Sequence, residues 1–197
     1  MTITWVLATN NAHKLQEVRS ILQPEVEILS LSDIGCTAQP DETGLTFREN
    51  ALIKAAEISS FTNLPVLADD SGLCVKALQD KPGIHSARYA GTQATDTDNI
   101  QKLLFELQGV SDRTAAFVAC ICLYNQNELP IFFEGRCEGI ILNEPSGGAG
   151  FGYDPVFKPQ NYSFSFAELG ENIKNQISHR AKALEKVKNY IFTNLVS

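Results

Sequence analysis

Ala115-Ala116-Phe117-Val118-Ala119-Cys120-Ile121-Cys122-Leu123-Tyr124 is the stretch that decides the fold. It does not alternate apolar with polar side chains. Both faces are apolar, so it reads as a central strand covered on both sides. Downstream, Asn125 to Glu128 supplies a turn, and Ile131 to Leu142 reads as its long hairpin partner. Upstream, helices and strands interleave. Ile3 to Ala8 is an apolar strand, and Thr9-Asn10-Asn11 is a turn of capping residues. Leu15, Val18 and Leu22 then recur at helical spacing, which predicts a helix from about His13 to Leu22 that Pro24 stops. Val26 to Leu31 is a second short strand. Thr46 and Glu49 have the spacing of a reciprocal cap for a helix carrying Phe47, Ala51, Leu52, Ala55 and Ile58. Pro65 to Ala68 is a strand running into Asp69-Asp70-Ser71-Gly72. Thr95 to Thr97 caps a helix bearing Ile100, Leu103, Leu104 and Leu107. Ser165 and Glu168 open another, and Ala181, Leu184, Val187 and Ile191 line a last one. Such interleaving around a long hairpin implies an α/β protein with a mixed sheet.

Composition narrows the class. With 197 residues, 44% hydrophobic and 20% charged, the chain has the make-up of a globular enzyme of one domain, or of two lobes sharing a core. Its five cysteines, Cys36, Cys74, Cys120, Cys122 and Cys137, are odd in number and lack metal-ligand spacing, so they read as reduced thiols. Met1 to Trp5 has no basic start followed by a long apolar run, which fits a cytoplasmic protein. No stretch approaches the roughly 20 apolar residues of a membrane span. The net charge of −7, with no long basic run, speaks against general nucleic-acid binding. A phosphate ligand therefore needs a local cluster of cations or a metal.

Several short stretches supply such chemistry. Asp69 and Asp70 follow an apolar strand directly. If the strand continues, their side chains point to opposite faces and have separate tasks. A carboxylate there can hold Mg²⁺ or take a proton from an attacking water; alone, the stretch also reads as a capped turn. Asp41-Glu42 is a second acidic pair before a helix, able to complete a metal site if the loops meet. Thr9-Asn10-Asn11-Ala12-His13-Lys14 offers hydroxyl, amide, helix-start N–H groups and one lysine to a phosphate. It lacks the glycines and Lys-Ser/Thr pair of a Walker loop. Phe151-Gly152-Tyr153-Asp154 places two aromatics between glycines, where a purine can stack. Lys174, His179 and Arg180 bring donors before the last helix, suited to a base that presents a carbonyl rather than an amino group; alone, the stretch also reads as a solvated helix start.

The order of these motifs is more specific than any one of them. Thr9-Asn10-Asn11-x-x-Lys14, Glu42-Thr43-Gly44-x-Thr46-Phe47-x-Glu49-Asn50-Ala51, Ala68-Asp69-Asp70-Ser71-Gly72-Leu73, Pro82-Gly83-Ile84-x-Ser86-Ala87-Arg88-Tyr89, Gly150-Phe151-Gly152-Tyr153-Asp154-Pro155-x-Phe157 and Ser178-His179-Arg180 follow one another along the whole chain. Together they closely resemble the inosine triphosphate pyrophosphatase family, the dITP/XTP pyrophosphatases. The resemblance implies a long, curved mixed β-sheet flanked by helices, forming one domain over 1–197 with two lobes around a nucleotide-binding cleft. It also implies a homodimer, a Mg²⁺ requirement, and hydrolysis of ITP, dITP and XTP to monophosphate and pyrophosphate. By position, Asp70 looks like the general base or a metal carboxylate, and Asp41 or Glu42 its metal partner. Thr9 to Lys14 would hold triphosphate and Ser71 would contact substrate. Phe151 to Asp154, Lys174, His179 and Arg180 would bind nucleotide and base. The family's first turn usually carries glycine where Asn10 stands, a residue that tolerates left-handed backbone, and His85 stands where tyrosine is frequent.

Overall fold

A computed structural model describes residues 3–126 and 128–195. Its elements run β1 (Ile3–Leu7), α1 (Ala12–Leu22), β2 (Val26–Leu29), α2 (Phe47–Ser59), β3 (Val66–Val75), β4 (Lys81–Pro82), α3 (Asp96–Glu106), β5 (Thr114–Tyr124), β6 (Ile131–Ile141), β7 (Phe157–Pro159), α4 (Phe166–Ile177) and α5 (His179–Asn194). The seven strands form one sheet in the order β2-β1-β3-β5-β6-β7, with β4 beside β3. β1 pairs in parallel with β2 and β3, whereas β4 on β3 and β7 on β6 are antiparallel. The sheet is therefore mixed, and β5 lies inside it, as its two apolar faces require.

The chain divides into two compact units, one of residues 1–70, 119–135 and 180–197, the other of 71–118 and 136–179. The first unit has two cores. Trp5 and Leu7 join Leu67, Ala119, Ile121 and the α5 side chains Ala183, Leu184, Val187 and Ile191. Val6, Ala8, Ala68 and Cys122 join Ala51, Ala55 and Ile58 of α2. Alternate residues of β1, β3 and β5 thus feed alternate cores, which is the two-faced burial of a covered sheet. The second unit has one core, in which Leu73, Ile100, Leu103, Phe117, Ile141, Phe157 and Phe166 pack together.

Local chemistry explains the boundaries. Asn11 caps α1, its side chain accepting from the Lys14 N–H. Ser165 and Glu168 make a full reciprocal cap on α4, as do Thr95 and Asp98 on α3. On α2 the expected box is only half formed: Thr46 accepts from the Glu49 N–H, but the Glu49 carboxylate reaches one residue further, to the Leu45 N–H at 2.6 Å. Gly170 interrupts α4 with φ of 75°. The second strand is shorter than its apolar run, stopping at Leu29. Asn10 does not adopt left-handed backbone; among the described residues Gln79, Asp80 and Asn161 are the non-glycine residues that do. All five cysteines are buried and unbridged. Among the described residues no helix is long and apolar enough to cross a membrane.

Candidate active site

The acidic pair does not sit at a strand end. β3 runs unbroken from Val66 to Val75, so Asp69 and Asp70 lie in its middle and project to opposite faces. Their surroundings then differ completely. Asp69 is 2% exposed and meets two cations, Lys14 Nζ at 2.6 Å and Arg180 Nη2 at 3.2 Å. The other arm of the Arg180 guanidinium meets Glu17 on α1. Burial alone raises a carboxyl, but Arg180 and Lys14 outweigh it and hold Asp69 well below the usual carboxylate range. Burial also draws Lys14 below the ordinary amine range, with Asp69 opposing this and Arg180 and Lys54 adding to it. The carboxylate at 2.6 Å offsets the unfavourable position of a lysine in the first turn of a helix.

Asp70 points the other way. Its Oδ1 accepts from Lys54 Nζ at 2.7 Å, and its Oδ2 faces Asn50 Nδ2 at 3.4 Å. The same ammonium donates to Glu42 Oε1 at 2.9 Å. Asn50 and Lys54 are one turn apart on α2 and so share a face. Burial raises Asp70, the nearby Glu42 adds to the rise, and Lys54 only partly counters it. For Lys54 itself burial is outweighed by Asp70 and Glu42, so the amine is held above its ordinary value. The loop carrying Glu42 is fixed by the Gly44 N–H, which donates to Asn50 Oδ1 at 2.8 Å. A Cβ at Gly44 would lie 2.7 Å from that same oxygen, so the approach needs glycine. Asp41, by contrast, is exposed and stays out of this cluster, so of the two acids proposed for the metal the structure brings only Glu42 to Asp70.

The second unit assembles the aromatic and basic residues. Lys174 Nζ donates to Asp154 Oδ2 at 2.6 Å and lies 4.1 Å from the centre of the Phe151 ring. Asp154 Oδ2 also accepts from the Phe151 N–H at 3.0 Å, and Asp96 accepts from the Gly152 N–H at 2.6 Å. Gly150 has φ of +82°, and a Cβ there would collide with the Asp154 carboxylate. Phe151 keeps part of its ring exposed. Tyr153 does not serve as a stacking face: it is 4% exposed in the core, its hydroxyl donating to the Ser86 carbonyl at 2.9 Å. His179, buried at the start of α5, stacks on Phe117.

Arg180 follows His179 in the first turn of α5. It is 2% exposed, and two arms of its guanidinium pair with Glu17 and Asp69 in the first unit. Thr9 Oγ1 accepts from the Asn11 N–H, which shapes the turn before α1, while Asn10, Ala12 and His13 are exposed there. Ser71 follows Asp70 on β3 and is partly exposed. The local sequence does not mark Lys54 or Asn50 as partners of Asp70, or Glu17 as the partner of Arg180. Lys54 and Asn50 had a usable signal, a polar i, i+4 pair on an otherwise apolar helix just after an acidic loop.

The carboxylate pair can be tested as a cation site. Glu42 and Asp70 already converge on one ammonium, and both offer hard oxygen donors. Among the described residues no group of three or more His, Cys, Asp or Glu side chains is placed to hold a metal. Two carboxylates are a donor set that suits Mg²⁺, which takes oxygen ligands and completes its shell with water and phosphate oxygens.

A family model described as the Ham1 family matches residues 5–190. A dITP/XTP pyrophosphatase of Porphyromonas gingivalis is 48% identical over 187 residues, covering 94% of this chain and 96% of that protein. A dITP/XTP pyrophosphatase of Bacillus licheniformis is 48% identical, covering 92% of this chain and 94% of the relative. Among solved structures, a HAM1 protein from Coxiella burnetii superposes with a TM-score of 0.90 at 42% identity, covering 98% of this chain and 100% of that one. The Staphylococcus aureus Ham1 protein gives 0.88 at 37% identity, with 96% and 98% covered.

Proposed function

This chain belongs to the Ham1 family, and from that premise we propose that it is a nucleoside-triphosphate pyrophosphatase that cuts ITP, dITP and XTP between the α and β phosphates. The observation that carries the reading is the division of labour on β3. Asp69 is locked by two cations, while Asp70, raised by burial, faces Glu42 across a single shared ammonium.

Asp70 takes the proton of the attacking water, and Glu42 and Asp70 are the carboxylates that would hold a divalent cation. When bound, Mg²⁺ supplies charge neutralisation on the phosphate oxygens and an acidified water. Lys54 keeps the two carboxylates converged and offers its ammonium to phosphate. The N-terminus of α1, with Thr9 to Lys14, favours the anionic triphosphate, and Lys14 adds a cation to the departing pyrophosphate. Phe151 stacks on the purine, Lys174 and the Asp154-held loop position it, and Ser71 touches the substrate. His179 donates to the carbonyl that distinguishes hypoxanthine and xanthine from adenine. A homodimer and a cytoplasmic setting belong to the same proposal.

The test is pyrophosphate release from ITP, XTP, GTP, ATP and dTTP, with and without Mg²⁺. Mg²⁺-dependent release from ITP and XTP is expected. Asp70→Asn should lower that rate by about 10²–10⁴-fold while the fold persists. Release from dTTP instead of ITP would assign the chain to pyrimidine substrates, and near-normal turnover by Asp70→Asn would remove Asp70 from the reaction.

A further inference from the structure

We infer that Phe117 is a positioning residue for base discrimination, acting through His179 by fixing the plane of its imidazole. The inference rests on the proposed role of His179 as the donor to the base carbonyl. The two rings are nearly parallel, with centroids 4.8 Å apart and an interplanar angle of 11°. His179 is 4% exposed and Phe117 8%, so the contact is a buried stack and not a surface brush.

Phe117 has little freedom of its own. Its backbone belongs to β5, inside the sheet. Phe157 meets it edge to face at 4.7 Å and 63°, and Phe166 lies tilted at 6.1 Å. Phe157 and Phe166 also touch each other at 5.3 Å. Three rings from β5, β7 and α4 therefore form one wall, and the imidazole lies flat on it. Offset-stacked and edge-to-face geometries are the favoured ones for such rings, so each supports the next.

The consequence concerns direction. A hydrogen bond weakens steeply once donor and acceptor are misaligned. An imidazole free to turn about its χ2 would sweep its N–H edge past a carbonyl and past an amino group alike. Held flat on Phe117, it presents one edge in one plane. The ability to reject a base with an amino group at that position then depends on the wall as well as on the histidine. The Phe117 side chain has no polar atom of its own, and its stacked neighbour His179 is the group through which it acts on the base.

The experiment compares Phe117→Leu, Phe117→Tyr, Leu103→Ala and His179→Gln in the full-length enzyme. Leu103 is fully buried in the same core and serves as the control for loss of packing alone. For each variant, kcat and KM are measured on ITP and ATP, together with Tm and the imidazole C–H proton resonances. The chain has three histidines, and His13 and His85 are exposed, so the ring-shielded His179 signal is assigned by its loss in His179→Gln. Phe117→Leu is expected to raise KM for ITP about tenfold, to leave kcat within about twofold, and to shrink the ITP-to-ATP ratio of kcat/KM about tenfold. The His179 resonance should move to an unshielded position in the same variant. Phe117→Tyr keeps the ring and should keep the ratio, and Leu103→Ala should lower Tm with the ratio intact.

An unchanged ratio in Phe117→Leu, with the ratio lost in His179→Gln, would overturn the inference and leave the base reading in place. An equal loss of ratio in Leu103→Ala would also overturn it, reducing Phe117 to core packing. An unchanged ratio in His179→Gln would overturn the assignment of His179 to the base, and this inference with it.

Discussion

Asp69 and Asp70 are joined by one peptide bond, and their carboxyls are displaced from the ordinary carboxylate range in opposite directions. Asp69 is held below the usual carboxylate range, so its folded pKa lies beneath its unfolded one. Its contribution to stability is present above the unfolded value of about 4 and is lost as the pH falls toward the folded value. Asp70 is raised, so its contribution is present below about 4 and is lost as the pH climbs through its folded value. Asp69→Asn is expected to cost about 3–5 kcal/mol at neutral pH, because it leaves Lys14 and Arg180 buried around a neutral group. It should also flatten the acid limb of stability. Urea midpoints between pH 3 and 7 measure both, and an unchanged acid limb would show that Asp69 does not govern it. The opposite facing of the two acids was legible from the strand period. Their partners were not, since Lys54 and Arg180 reach them from 16 and 111 residues away in sequence. Nothing in the local pattern around Arg180 announces its pairing with Glu17 and Asp69.

Elements with strong end signals were read well, and those overridden by tertiary packing were not. Ser165 and Glu168 announced α4, and both arms of the cap are present. Ser165 is fully buried and also donates to the Ser146 carbonyl at 2.7 Å. Ser165→Ala should therefore lower stability by about 1–2 kcal/mol. Because Gly170 separates this cap from Lys174, kcat should stay within about twofold; a chemical-denaturation midpoint and a rate assay decide both points. A large loss of activity would mean that the cap holds Lys174 across the break. Asp, Ser and Gly disfavour strands, so the local pattern ends β3 at Ala68. Its continuation through Gly72 comes from pairing within the sheet and from cations on either face, neither of which a local window contains. The same holds for Tyr153, where a glycine-flanked aromatic looks like a platform until the core claims it.

At the scale of the molecule, the two units interleave along the chain. The boundaries between the two units fall inside β3, β5 and β6 and at the start of α5, so the chain passes from one unit to the other four times. Neither unit is a continuous segment, and unfolding should be one transition. Leu7→Ala, in a first-unit core, should cost about 2–5 kcal/mol. It should also move Trp5 fluorescence and amide exchange of the second-unit core by the same amount. Separate midpoints for the two probes would show that the units unfold independently. The buried cysteines turn this cooperativity into something that can be counted. Burial pushes the Cys120 and Cys122 thiols up to about 12 and the Cys74 thiol up to about 11. At pH 8 the thiolate fraction of the first two in the folded state is only on the order of 10⁻⁴, and all five sulfurs are shielded from solvent. Alkylation of the native protein should proceed at the rate at which molecules open. Mass spectra taken during the reaction should then hold two populations, unlabelled and five-fold labelled, with little between them, so that a reagent meant for cysteine would act as a clock for folding.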